Sequence, residues 1–314
     1  MSQTRQYLDA NTLARLRLVE VDARMIVEGL LSGRHRSPMR GFSVEFAEHR
    51  EYSPGDDLRR LDWKVLARTE RLHLKQYEQE TNLACWLLVD ASESMSYGSQ
   101  AWKNEPSRIR TKYDHGATAC AVLAHLLQRE GDAVGLGLFA DLSLHRLSPS
   151  SRISQLETIL ELLSRGSGKA STRLGPLLHE FADRIPRRGI VMIFSDLLDN
   201  TGEVLEGMRH LRHAGHEVVV FHVLDPDELE FPFQDPTLFR GLEGEATLDT
   251  DPVSLRQGYL ENLGRFLEEW KSGLKKMDVD YLLLRTDELL GNILASYLAG
   301  RHARGRKGPG SMST

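Results

Sequence analysis

Hydrophobic and polar positions alternate along this chain in a way that calls for strands and helices in turn. From about Asn11 to Leu31, Leu13, Leu16, Ala23 and Leu30 recur at helical spacing, and Gly33 is a natural stop. Gly41 to Phe46 alternates like a strand, with Phe42, Val44 and Phe46 on one face, and Arg71 to Tyr77 alternates again. Between them, Pro54-Gly55 fits the centre of a type II turn, and Asp56 or Asp57 can cap a short helix whose Leu58, Leu61 and Val65 face inward. The run Leu83 to Val89 is different, with seven apolar residues in succession ending in Asp90. It fits a strand buried on both faces of a parallel sheet.

A polar loop over Ser96 to Arg110 leads into an expected helix at Lys112–Arg129, rich in small residues. A strand at Ala133–Phe139 has a hairpin partner at Leu142–Leu147, followed by helices at Ile153–Leu163 and Leu174–Arg184 around a Gly/Ser loop at Gly166–Ser171. Gly189 to Asp196 repeats the opening theme of an apolar strand ending in an acid. Helix Glu203–His213, strand Glu217–Leu224, an acidic segment Asp225–Pro252 with a short hairpin at Thr237–Thr247, helix Ser254–Lys276, strand Val279–Leu284 and helix Glu288–Ala299 complete the chain. Strands alternating with helices imply an α/β fold, a doubly wound and mostly parallel sheet of Rossmann-like type covered by helices on both faces.

Composition adds bounds. At 314 residues there is room for one large α/β domain and an attachment. A net charge of −5 gives no reason to expect general nucleic-acid binding, and the basic tail from Arg301 to Lys307 reads as a disordered, solvated end. Cys85 and Cys120 lie in apolar surroundings and read as core residues of a reducing compartment. No apolar run approaches the ~20 residues of a membrane helix, and the N-terminus lacks the apolar core of a signal peptide. The expected address is the cytoplasm.

The chemistry concentrates at strand ends. Ligands of open α/β sheets bind just beyond the carboxyl ends of the strands, which puts Asp90, Ser92 and Ser94 at the mouth of the sheet. Oxygen-only donors suit a hard cation such as Mg²⁺. Asp196 ends a second strand, and Ser171-Thr172 precedes a helix, where a hydroxyl can cap the helix or reach the metal. Asp199 is a weaker rival to Asp196. With so few carboxylate ligands the cation keeps charge and an open position, suited to accepting a carboxylate from another protein and poorly suited to activating water. Other motifs fail on inspection. Gly166 to Thr172 imitates a nucleotide loop but has Leu163 where a glycine belongs and Ala170 after Lys169. An aspartyl-phosphate route would use Asp90, but Ser92 stands where such phosphatases carry a second acid. His210, His213 and His216 read as solvated histidines near a helix end. On chemistry alone, the dense charges of Arg50 to Lys64 read as a salt-bridged turn, with an anion or partner site as the alternative.

Asp90-x-Ser92-x-Ser94, with Thr172 and Asp196, resembles the metal-ion-dependent adhesion site of von Willebrand factor A domains. The resemblance implies that Ser92, Ser94 and, depending on state, Thr172 ligate Mg²⁺ or another divalent cation such as Mn²⁺, while Asp90 and Asp196 act largely through water. Upstream, Arg50-x-Tyr52-x-Pro54-Gly55-Asp56-Asp57-x-Arg59-x-x-Asp62-Trp63 resembles the signature of the bacterial "domain of unknown function" family fifty-eight, in which such a segment precedes a von Willebrand A-like domain. That resemblance implies a partnership with a MoxR-type AAA+ ATPase or its client.

The expected organisation is a family-specific extension of helix and strand over residues 1–82, a von Willebrand A-like domain over 83–300 and a tail over 301–314. The expected function is a non-enzymatic, metal-dependent protein-interaction module that captures an acidic side chain of its partner. The alternatives are a metal-dependent phosphohydrolase using Asp90 and Asp196, and a metal-free scaffold.

Overall fold

The computed structural model describes residues 43–51, 73–80, 84–101, 107–140, 143–168, 173–185, 188–242, 247–294 and 296–297. The expected helix at 11–31, the Tyr52 to Trp63 segment, Ser171, Thr172 and the basic tail lie outside them. Strands β1 (Ser43–Glu51) and β2 (His73–Glu80) form an antiparallel pair of their own, with a register shift between Phe46 and Glu48. Both strands run further toward their C-terminal ends than the apolar alternation indicates.

The central sheet has six strands. They are β3 (Ala84–Asp90), β6 (Ala133–Ala140), β7 (Ser143–Ser150), β8 (Gly189–Ser195), β9 (Glu217–Leu224) and β12 (Asp280–Arg285), numbered to leave β4 (Gln100–Ala101), β5 (Ile109–Arg110), β10 (Thr237–Phe239) and β11 (Leu248–Thr250) for two small hairpins. The order across the sheet is β12-β9-β8-β3-β6-β7, parallel throughout except for the β6–β7 hairpin at one edge. The expected doubly wound α/β sheet is therefore the observed one, with β3 at its centre and paired to β6 and β8 on either side.

Side chains of β3 alternate between two cores, as the period-2 pleat requires. Cys85, Leu87 and Val89 join one cluster, with α1 (Lys112–Arg129), α2 (Ser154–Leu163) and the helical residues from 290. Trp86 and Leu88 join the other, with α3 (Leu174–Arg184), α4 (Thr201–His213) and α6 (Pro252–Lys276). A strand coated on both sides has no use for polar residues, which is why the run from Leu83 to Val89 is unbroken. Cys85 and Cys120 are buried and unbridged, as their surroundings suggest. His216 corrects the reading of solvated histidines: it is buried in the turn between α4 and β9, whereas His213 is exposed. Among the described residues, no helix is long and apolar enough to cross a membrane.

Several boundaries differ from expectation because polar residues that resemble loop in sequence serve as helix caps. Helix α6 starts at Pro252, with Asp251 accepting the N–H of Val253, and proline suits a first turn that has no use for its missing N–H. Helix α4 starts at Thr201 under Asn200, whose side chain accepts the N–H of Glu203. The acidic segment holds one unexpected turn of helix, α5 (Pro226–Glu230), closed by a reciprocal capping box between Asp225 and Glu228.

Candidate functional site

The β3–β8 pairing places Val89 opposite Phe194, so the two strands end side by side and deliver Asp90 and Asp196 to one place. Asp90 is 4 % exposed and held at both oxygens. Its Oδ1 accepts the backbone N–H of Ser92 at 2.9 Å, and its Oδ2 accepts the hydroxyl of Ser195 at 2.6 Å. Ser195 in turn accepts the N–H of Leu197 at 3.0 Å, which fixes the hydroxyl's direction. The hydroxyls of Ser92 and Ser94 lie 2.9 Å apart, and Ser94 also bonds to Asp196. The expected cluster of Asp90, Ser92, Ser94 and Asp196 is thus assembled in space from two strand ends and one tight loop.

The structure adds a residue that sequence reasoning passed over. Lys112, at the first turn of α1, is 1 % exposed and places its ammonium 2.8 Å from Asp196 Oδ2 and 2.6 Å from Glu228 Oε1. A cation at a helix N-terminus opposes the helix dipole, so these two carboxylates hold it there. The available signal was a lysine opening a helix whose next residues are nearly all buried. Glu228 was legible only as half of a capping box. His222 supports the site from beneath, donating from Nε2 to the carbonyl of Asp196 at 2.8 Å while Nδ1 accepts from the Tyr281 hydroxyl at 2.9 Å.

Charge at this place is unbalanced. Among the described residues, three carboxylates, Asp90, Asp196 and Glu228, converge on a neighbourhood with one ammonium. Burial and then the charge of Asp196 push Asp90 up to about 7, and burial raises Glu228 as well. Burial alone would raise Asp196 too, but the charge and hydrogen bond of Lys112, with bonds from Ser94 and Leu198, hold it below the usual carboxylate range. Lys112 is raised because the two carboxylates outweigh the cost of burying its ammonium.

A divalent cation fits that imbalance and the all-oxygen donor set. Among the described residues no three His, Cys, Asp or Glu side chains form a metal cluster, so the Ser92 and Ser94 hydroxyls would have to contribute. Asp199 has another task, accepting the N–H of Leu174 at 2.6 Å and so capping α3. Ser171 and Thr172 lie outside the described residues. The Gly/Ser loop leading to them docks on the site, with the N–H of Gly168 donating to the carbonyl of Ala91 at 2.5 Å. Of the upstream motif, Arg50 lies on β1, paired with Leu74, while Tyr52, Gly55, Asp56, Asp57, Arg59, Asp62 and Trp63 lie outside the described residues.

Comparison with known proteins gives the family. The chain is 29 % identical over 286 residues to uncharacterized proteins of Mycobacterium bovis and Mycobacterium tuberculosis, covering 89 % of this chain and 86 % of theirs. Among solved structures it is similar to the conserved hypothetical protein BatB from Bacteroides thetaiotaomicron, at TM-score 0.46 and 16 % identity over 71 % of this chain and 99 % of that one. It is also similar to the SpRpn10 VWA domain, at TM-score 0.36 and 12 % identity over 68 % of this chain and 93 % of that one. The family described as "Protein of unknown function DUF58" matches residues 48–265, more than half of the sequence. The chain belongs to the DUF58 family.

Proposed function

We propose that this protein is a non-enzymatic interaction module that binds a divalent cation, Mg²⁺ or Mn²⁺, at Ser92 and Ser94, with Asp90 and Asp196 anchoring the site, and presents that cation to an acidic side chain of a protein partner. The observation that carries the reading is the excess, among the described residues, of buried carboxylate over ammonium beside two adjacent hydroxyls. A cation there offsets the burial and the Asp196 charge that push Asp90 up, and hydroxyl ligands leave it enough charge to take one more carboxylate. Thr172 is part of this proposal through the von Willebrand A resemblance, and the family resemblance makes a MoxR-type AAA+ ATPase or its client the proposed partner.

The phosphohydrolase alternative is less well supported. A nucleophilic carboxylate must be reached by its substrate, and Asp90 is 4 % exposed, with Ser92 where such phosphatases carry a second acid. The test is a pull-down of a MoxR-type ATPase by purified protein in Mg²⁺ or in EDTA, alongside Ser92→Ala/Ser94→Ala. Retention only with Mg²⁺ and the wild-type serines supports the proposal. Retention indifferent to both refutes metal bridging and favours the scaffold reading.

A further inference from the structure

The cluster of oxygen ligands does not face open solvent alone. Ser94 and Lys112 also line a pocket of about 480 Å³, a size typical of ligand sites. Its far wall is aromatic and comes from the segment after α5 and from Tyr259 on α6. Phe231 stacks on Phe239 at 5.5 Å between ring centres and lies 4.6 Å from Tyr259, while Phe233 meets Phe231 and Phe239 edge-on at 5.2 and 5.3 Å. The wall is anchored to the floor. The Tyr259 hydroxyl donates to the carbonyl of Glu228 at 2.8 Å, and Glu228 is the residue that holds Lys112.

Apolar side chains reach solvent at the rim. Leu198, just past Asp196, is 54 % exposed, and Leu242 is 39 % exposed; both line the pocket. Exposed apolar side chains gathered at a concave site mark an interface rather than ordinary surface. Arg240, also on the rim, adds an exposed cation.

The geometry points to a protein segment in which an acidic residue is directly flanked by a bulky apolar one, phenylalanine or leucine, as what this site recognises. This inference rests on the metal-bridging reading above: the cation beside Ser94 takes the carboxylate, and the neighbouring apolar side chain fills the aromatic pocket. Charge complementarity favours the acid: the pocket sets Asp227 and Glu228 against Lys112 and Arg240, and a cation beside Ser94 tips that balance to positive. The aromatic wall then supplies what a lone metal–carboxylate contact lacks, a desolvated anchor that tells one acidic segment from another.

Fluorescence polarisation tests this with fluorescein-labelled hexapeptides carrying a central phenylalanine–glutamate, alanine–glutamate or phenylalanine–glutamine pair flanked by glycine and serine. Mn²⁺ affinity is measured separately by the paramagnetic resonance of free Mn²⁺. In saturating Mn²⁺ the phenylalanine–glutamate peptide should bind at least tenfold more tightly than either control. Phe239→Ala and the surface variant Leu242→Ala should abolish the preference over alanine while leaving Mn²⁺ affinity unchanged. Equal binding of the phenylalanine–glutamate and alanine–glutamate peptides, or no peptide binding by a Mn²⁺-loaded protein, overturns the pocket assignment and leaves the metal reading standing. Absence of Mn²⁺ binding overturns the reading beneath it, and this inference with it.

Discussion

Lys112→Met removes the one ammonium that the described residues place among the converging carboxylates, while keeping a similar apolar stem. Each contact, at 2.8 and 2.6 Å, is worth about 6 kcal/mol of gross attraction at an effective dielectric of ~20. Much of that offsets the cost of burying the ammonium. Removing one partner of a buried pair typically costs about 3–5 kcal/mol, because the orphaned carboxylate stays buried. Asp196 falls under that rule at 2 % side-chain exposure; Glu228, at 22 %, can recover some hydration. The expected loss is therefore about 3–5 kcal/mol. In urea titrations with EDTA, a slope of ~2 kcal/mol per molar converts this to a midpoint lowered by about 2 M. Mg²⁺ should restore more stability to the variant than it adds to the wild type, since the variant has one more uncompensated negative charge. A loss below about 1 kcal/mol, the level of a solvated pair, would refute the placement of Lys112 and the charge argument built on it.

Three further outcomes follow from the structure. Ser195→Ala deletes the donor to Asp90 Oδ2 without touching the proposed ligands, and loss of such a positioning contact should weaken Mn²⁺ binding about 10–100-fold in titration calorimetry. His115 is fully buried with Arg110 beside it, and burial followed by that charge lowers it to about 3, against an opposing effect of Asp287. Its folded pKa lies below its unfolded one, so stability is lost as pH falls through 6.5 toward 3. His115→Gln should therefore flatten the denaturation profile by about 1.4 kcal/mol per pH unit in that window, or roughly 2 kcal/mol at pH 5. Gly189→Ala would put a Cβ 2.1 Å from the carbonyl oxygen of Ala84, backbone against backbone in the β3–β8 pair. It should lower stability by about 1–3 kcal/mol or more and weaken Mn²⁺ binding in parallel, because that pairing is what brings Asp90 to Asp196.

How much of this was legible in the sequence depended on whether a signal was local. The strand Ala84–Asp90 announced itself because burial on both faces leaves an unbroken apolar run, and the acid at its end marked the sheet's mouth. Asp196 was legible for the same reason on β8. Lys112 was not, because a lysine near a helix start ordinarily points to water; what buries it is Glu228, 116 residues away. Asp199 looked like a possible ligand, but its role as the cap of α3 depends on how the loop after β8 returns over Leu174. The aromatic pocket was equally hidden. Phe231, Phe233 and Phe239 sit in a segment that reads as acidic with one short hairpin, and only the short helix α5, with Phe231 in a left-handed conformation at its end, turns their rings together.

The central claim is that Ser92, Ser94, Asp90 and Asp196 hold a divalent cation. Titration of the full chain with Mn²⁺, read by paramagnetic resonance of the free ion, tests it most directly. One saturable site in the wild type, competed by Mg²⁺ and lost in Ser92→Ala/Ser94→Ala while the variant remains folded by circular dichroism, is the predicted result. Identical isotherms for the two proteins, or no saturable binding by the wild type, would contradict the account.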